Sequence, residues 1–439
     1  MSAAAGNSGT LRLRVVDFRP VLDRSLSQAR TCMTQQSSTG DGRNVDDGGA
    51  GIYLQRCVAN LRTGRSRQMS QPIKSLDISG FRGISSLAIQ NVGRVNLITG
   101  RNNAGKSSLL EAVRVLITGG SMKTIHEILN YREEIFSDDP ERVFGYNDVA
   151  PFCSLLNGFP DVSSSKSLSV SATGGIPASI SRISIKIGWF ARRSDPDQAS
   201  FRFEPIDADF LGDIDRFPAL DMDIAGKRRI VPLDRVSRRY FLRSEPDVNL
   251  VPCVNLDPFS SRSTGQLGVL WDAIALTESE REVVEALRVI SDDIEAVSMI
   301  GSDERNMRSR IAIAKSRAFD SPIPLRTFGD GVNRLFGIIL SLCNARNGVL
   351  LVDEIENGLH YSIQAAVWKA IFRLSRKLNV QIFATTHSWD CVRSFQEAAT
   401  ESPEDGILVR LTKKGEKTIA TLFTEQELEI VSRDQVEVR

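Results

Sequence analysis

Gly100-Arg101-Asn102-Asn103-Ala104-Gly105-Lys106-Ser107 decides the reading of this chain. Its form is G-x-x-x-x-G-K-S, a loop whose glycines let backbone N–H groups turn inward and cradle phosphate oxygens. Gly100, Asn102, Asn103, Ala104, Gly105, Ser107 and Ser108 are the candidate cradle residues. Lys106 is placed to reach the outer phosphates, and the Ser107 hydroxyl to ligate Mg²⁺. Upstream, Val95-Asn96-Leu97-Ile98-Thr99 reads as a short buried strand. Downstream, Ser107 to Leu116 reads as a helix that aims its positive N-terminus at the same anion. Strand, loop, helix is the order the motif requires.

Composition narrows the field. The chain has 439 residues, enough for two or three domains' worth of core. Hydrophobic content of 41% and charged content of 25% are ordinary for a globular protein, and the net charge of +1 gives no global field for nucleic acid or membrane. Its six cysteines (Cys32, Cys57, Cys153, Cys253, Cys343 and Cys391) form no C-x-x-C pair, so neither a zinc site nor a disulfide framework is indicated. With no apolar run of membrane-spanning length and no secretory signal pattern, the protein reads as cytoplasmic and not membrane-bound.

Residues 1–68 are rich in Ser, Gly, Gln, Arg and Asp with little periodicity, and read as a disordered leader. An alternative reading starts translation at Met69. Within the leader, Leu11 to Phe18 fits one short strand and Ile52 to Leu61 one short helix. From Ile73 to Ile78 apolar and polar residues alternate, the pattern of a half-buried strand. Phe81-Arg82-Gly83-Ile84 follows, then a second strand around Leu87-Ala88-Ile89. Two antiparallel strands ahead of a phosphate-loop strand differ from the order in small GTPases or kinases.

These residues together, "ISGFRGI" and then G-R-N-N-A-G-K-S, resemble the start of the RecF/SMC/OLD-type ATPases of the ABC superclass. The resemblance implies an α/β fold, a P-loop NTPase with an ABC-ATPase-like mixed sheet and an inserted α/β lobe. It implies ATP and Mg²⁺ as cofactors. It makes Phe81 and Arg82 candidates for nucleotide contact; the competing reading has Phe81 in the core and Arg82 solvated. The corresponding organisation is 69–118 for the N-terminal part of the ATPase, 119–326 for the lobe and linking strands, and 327–439 for the C-terminal part.

In the stretch 119–326 the pattern loosens. Ser163 to Gly175 reads as a Ser/Gly-rich loop. Ile183 to Ile187 and Phe201 to Phe203 alternate as strands, and Val251 to Leu256 reads as another. Leu267 to about Val297 reads as helical, with Val283, Leu287, Ile290 and Ile294 on one face. Lys227-Arg228-Arg229 opens a basic tract through Arg235, Arg238, Arg239 and Arg243 with Tyr240 and Phe241. That tract is either a phosphate-backbone surface or a solvated face paired with nearby acids. Heptads do not persist, which argues against a long-armed SMC protein.

Four further motifs follow in the order the family has. Thr327-Phe328-Gly329-Asp330-Gly331 opens a helix and resembles a degenerate ABC signature. The resemblance makes Gly329, Asp330 and Gly331 contacts for nucleotide held by an opposite subunit. Gly348 to Glu354 is an apolar strand ending in two carboxylates, the Walker B pattern; Asp353 is the candidate metal ligand and Glu354 the candidate activator of water. Ile355-Glu356-Asn357-Gly358-Leu359-His360 resembles the D-loop region, with Glu356 and His360 either at a dimer interface or capping the helix Ser362 to Leu374. Val380 to Ser388 is a buried strand ending in Thr-Thr-His-Ser, and His387 matches the family's switch histidine. No Q-loop glutamine is assignable, since Ser121 to Gly145 contains none, and His126 takes no role. After the switch, Gly406 to Leu411 and Lys417 to Phe423 form a hairpin, and Thr424 with Glu427 fits a capping box for a final helix. Roughly 50 residues after His387 are too few for the Toprim nuclease domain of OLD nucleases, so the resemblance covers the ATPase part, from about Ile73 to Arg439.

The expectation is an ATPase, with Lys106, Glu354 and His387 catalytic and Ser107 and Asp353 holding metal. Two copies would form a nucleotide-driven dimer clamp acting with a separately encoded nuclease or toxin effector, or on DNA, in phage defence or DNA repair. Alternatives are a DNA clamp in which ATP is mainly a switch, and an ABC transporter subunit, the last disfavoured by the altered signature and missing Q-loop.

Overall fold

The alternation of Ile73 to Ile78 becomes β1 (Ile73–Phe81), paired antiparallel with β2 (Ile84–Gln90) so that Ile78 lies opposite Leu87. The computed structural model describes residues 73–134, 149–194, 201–206, 216–233, 251–258, 264–301, 310–402, 405–424 and 427. The expected leader, the basic tract beyond residue 233 and the final helix beyond Glu427 lie outside these residues; of the capping box expected there, Thr424 N–H donates to the Glu427 carboxylate at 2.8 Å. β3 (Val95–Gly100) enters the phosphate loop and α1 (Lys106–Ile117) leaves it. α1 ends in a Schellman motif, with Gly120 N–H donating to the Val115 carbonyl and Gly119 N–H to that of Leu116. α2 (Met122–Tyr131) and the short α3 (Ala150–Cys153) follow.

β4 (Ser167–Gly174) occupies the stretch that composition marked as a loop. Leu168, Val170 and Ala172 are buried between outward Ser169, Ser171 and Thr173. The period-two pattern outweighs the low apolar content, because one buried face is enough to hold a strand. β5 (Arg182–Ser194), β6 (Phe201–Ile206), β7 (Arg216–Ile224) and β8 (Lys227–Pro232) continue the same antiparallel sheet. Its order among the described residues is β2-β1-β4-β5-β7-β8, with β6 also on β5.

The chain then returns to the nucleotide sheet with β9 (Cys253–Leu256). α4 (Thr264–Asp272) and α5 (Glu278–Leu287) come next, then β10 (Ile294–Gly301), β11 (Arg310–Ser316) and β12 (Ile323–Pro324). The helix expected through Val297 therefore stops ten residues earlier, at Leu287. Ile294, Val297 and Met299 are buried from a strand whose Ile294 lies opposite Ser316. The spacing of Ile290, Ile294 and Val297 imitates a helical face, but Ser291-Asp292-Asp293 turns the chain between them, with Ser291 Oγ donating to the Asp293 carboxylate.

α6 (Asp330–Asn344), β13 (Val349–Val352), α7 (Tyr361–Leu378), β14 (Gln381–Thr385), α8 (Trp389–Thr400), β15 (Gly406–Lys414) and β16 (Lys417–Phe423) complete the described chain. The nucleotide sheet runs β16-β15-β3-β14-β13-β9. All neighbours in it are parallel except the β15–β16 hairpin. Parallel strands covered on both faces read as continuous apolar runs, which is why β13 is Val-Leu-Leu-Val.

Each face of this sheet has its own core. Val349, Leu351, Phe383 and Val409 pack with α1 and with the inner face of the antiparallel sheet. Leu350, Val352, Ile382 and Leu408 pack with α6, α7 and α8. The phosphate-loop helix is thus held between two sheets. A buried amide ties them together: Gln381 accepts from Ile73 N–H at 2.8 Å and donates to the carbonyls of Ile73 and Gly93 at 3.0 and 2.7 Å.

Candidate active site

Because the strands are parallel and in register, the C-terminal ends of β3, β9, β13 and β14 lie along one edge, where open α/β sheets bind ligands. Gly100 leaves β3 with φ 144°, and a Cβ there would sit 2.4 Å from the Leu411 carbonyl oxygen, so only glycine fits. Gly105 opens α1 with no side chain capping it, so the first N–H groups of the helix face outward for an anion. Asn102 and Asn103 are exposed on the loop, Ala104 is buried beneath it, and Ser107 and Ser108 are half-buried. Lys106 is 6% exposed, and its Nζ donates to the carbonyls of Gly100 at 2.7 Å and Arg101 at 3.1 Å. Burial pushes its pKa down, and Asp353, Glu354 and Glu356 oppose that shift.

The Walker B carboxylates stand just past β13 on a bent backbone. Glu354 has φ 47°, a left-handed conformation that an L residue adopts only when its surroundings enforce it. Thr385, at the end of β14, grips the bend: its Oγ1 accepts from Glu354 N–H at 2.9 Å and donates to the Asp353 carboxylate. His387 Nε2 lies 3.9 Å from Glu354 Oε1, with both side chains open to solvent. Glu356 Oε1 accepts from His387 N–H at 2.8 Å, which fixes the switch loop against the D-loop turn. The sequence left Glu356 between interface contact and helix capping; its recorded bond is to the switch loop. His360 caps α7, accepting from Ser362 N–H.

Ser107 and Asp353 line one cleft of about 190 Å³, with Tyr131, Asn255, Asp257 and Glu111 around it. Burial, then Asp257, Asp353 and Glu354, push the Tyr131 hydroxyl up to about 12, so it stays a protonated donor. One hydroxyl and one carboxylate facing a common space suit Mg²⁺, which uses few protein ligands and keeps waters and phosphate oxygens for the rest. The residues present fit that ion.

Arg82 lies elsewhere than either expectation placed it. It is 5% exposed and bound to two carboxylates, Glu111 on α1 at 2.7 Å and Glu134 through a fork at 2.8 and 3.1 Å. This corrects the nucleotide-contact reading: the guanidinium braces the phosphate-loop helix from behind, one turn past Ser107. Phe81 is fully buried. Gly329, Asp330 and Gly331 form an outward turn at the start of α6, apart from the residues lining the cleft. Gly329 has φ 107° with open space around it, so the conformation and not crowding calls for glycine. The Asp330 carboxylate pairs at the surface with Arg326.

Sequence reasoning missed three groups: Thr385 as the clamp on the carboxylates, Asp257 beside the cleft, and Arg334. The last is 2% exposed on the buried face of α6, and donates to the carbonyls of Asp257, Asp353 and Glu354 at 3.1, 3.3 and 3.1 Å. One signal for Arg334 was present: a charge directly ahead of the apolar run from Leu335 to Leu340.

The chain is 22% identical over 343 residues to a protein of Helicobacter pylori named ATP/GTP phosphatase, covering 75% of this chain and 89% of that one. It is 39% identical over 67 residues to the DNA replication and repair protein RecF of Teredinibacter turnerae, 15% of this chain and 18% of that one. Among solved structures, an SMC head bound to the C-winged helix domain of ScpA matches at 12% identity and TM-score 0.43, covering 81% of this chain and 99% of that one. The SMC head domain from Thermotoga maritima matches at 14% and 0.38, covering 80% and 98%. Residues 95–390 match the family described as "AAA domain, putative AbiEii toxin, Type IV TA system", and the chain belongs to this family.

Proposed function

We propose that the chain hydrolyses ATP in sites shared between two copies of itself, and that closing and opening of this pair drives a separately encoded effector or grips DNA. One observation carries the reading: the phosphate loop, Asp353, Glu354 and His387 converge on one sheet edge, with Ser107 and Asp353 on a common cleft. Ser107 and Asp353 would hold Mg²⁺, which supplies positive charge to the phosphate oxygens. Lys106 and the α1 N-terminus stabilise the outer phosphates. Glu354 accepts a hydrogen bond from the attacking water and orients it, and His387 stands beside Glu354 to read the terminal phosphate.

Dimer formation is supported by the outward Gly329–Gly331 turn, which opens a helix N-terminus away from its own cleft and is suited to a phosphate held by another copy. The family description, with its toxin and antitoxin, supports an effector; the likeness to RecF supports DNA. Light-scattering mass of Glu354→Gln with Mg·ATP tests the clamp. A dimer that needs nucleotide is the expected result, and a monomer at saturating nucleotide refutes it. Phosphate release with and without duplex DNA at two salt concentrations separates the partners: stimulation that fades with salt favours DNA, and indifference favours the effector.

A further inference from the structure

We infer that Arg334 is a positioning residue for ATP turnover: from α6 its guanidinium holds the backbone carbonyls that set the aim of Asp353 and Glu354. The inference rests on the hydrolytic reading above and names what keeps that site in shape.

Three observations meet at this residue. The first is its cost. A guanidinium 2% exposed has lost its hydration, and among the described residues the hydrogen bonds recorded for it are all to carbonyl oxygens, while the carboxylates of Asp257, Glu356, Asp353 and Glu354 act on its charge without bonding to it. Its Nε is buried without a partner. An apolar residue on a helix lined by Val332, Leu335, Phe336 and Ile339 would be the cheaper choice for stability.

The second is where the fork lands. Nη1 reaches the Asp257 carbonyl at the end of β9, and Nη2 reaches both Asp353 and Glu354 past β13. The two strand ends that border the cleft are thus joined through one planar group. Lysine has no such span, since its donors share a single nitrogen.

The third is the strained bend. Glu354 is held at φ 47° from two sides: Thr385 takes its N–H, and Arg334 takes its carbonyl. Releasing either side frees the peptide that carries the water-activating carboxylate. Arg334 also lies one turn after Gly331 and packs beside Gly358, the glycine of the D-loop turn. The same side chain therefore lies against the D-loop turn while it holds the peptides of the two carboxylates.

Arg334→Lys tests this in the full chain by three readouts: kcat at saturating Mg·ATP, affinity for a fluorescent ATP analogue with Mg²⁺, and the melting temperature. The expected result is a kcat lower by about 10- to 100-fold, as when a group that orients metal or catalytic side chains is lost, with affinity within about threefold and a melting temperature lower by only a few degrees, the cost of the lost carbonyl bonds. Arg334→Gln, which keeps amide donors without the charge, gives the same comparison should the lysine variant fail to fold. A kcat within twofold of wild type overturns the inference. So does a parallel fall of kcat, affinity and melting temperature, which marks general loosening. No turnover in the wild type overturns the hydrolytic reading and this inference with it, whereas wild-type turnover that the variant keeps overturns this inference alone.

Discussion

Replacing Thr385 by valine keeps nearly the same shape in a fully buried position and removes one hydroxyl. That hydroxyl accepts from Glu354 N–H at 2.9 Å and donates to the Asp353 carboxylate. The variant leaves a buried N–H without a partner, at about 1–3 kcal/mol, and loses a bond to a charged group worth about 1.5–3 kcal/mol. Part of this is recovered when Glu354 relaxes out of its left-handed conformation, which costs about 1–3 kcal/mol to hold. A net loss of about 3 kcal/mol corresponds to a melting temperature lower by roughly 4 °C, at an unfolding entropy of about 2 cal/mol/K per residue over a unit of this size. The relaxation that recovers stability also turns the carboxylates away, so turnover should fall by about 10- to 100-fold. Thr385→Ser keeps the hydroxyl and should stay within about threefold of wild type in activity. Thermal melting and phosphate release on the three proteins check both numbers. Thr385→Val with turnover within twofold and melting within 2 °C of wild type would refute the clamp argument.

Two further outcomes follow from other parts of the structure. Gln381→Leu orphans the Ile73 N–H and removes the bonds to the Ile73 and Gly93 carbonyls; it should cost about 2–5 kcal/mol and lower the melting temperature by roughly 3–6 °C, and an unchanged melt would show the amide bridge to be dispensable. Burial pushes the thiols of Cys343 and Cys391 up to about 12. At pH 8 only roughly one in ten thousand is thiolate, so iodoacetamide should leave both unlabelled in the native protein and label both after denaturation; rapid native labelling read by mass spectrometry would contradict their burial.

The nucleotide-binding half of the fold was legible because local chemistry and global fold agree there. A phosphate loop needs glycines at Gly100 and Gly105, Walker B needs an apolar strand before Asp353, and parallel topology needs continuous apolar runs in β13 and β14. The middle of the chain was harder to read. β4 hides a buried Leu168-Val170-Ala172 face among serines, and β10 carries apolar spacings that also suit a helix. In both, tertiary pairing decided what the composition left open. Arg82 shows a different limit. Its place beside the phosphate-loop motif suggested nucleotide, but its acids, Glu111 and Glu134, come from segments that only the fold brings together. The roles of Arg334 and Thr385 were hidden for the same reason: their partners are backbone atoms and a carboxylate at the ends of other strands.

The central claim is that Glu354 activates water in a site where Lys106 holds the phosphates. Phosphate release and nucleotide binding by wild type, Lys106→Ala and Glu354→Gln test it most directly. Steady turnover by wild type is expected, with loss of binding in Lys106→Ala, and retained binding with turnover lower by about 100-fold or more in Glu354→Gln, the scale of a lost general base. Turnover in Glu354→Gln close to that of wild type would contradict it.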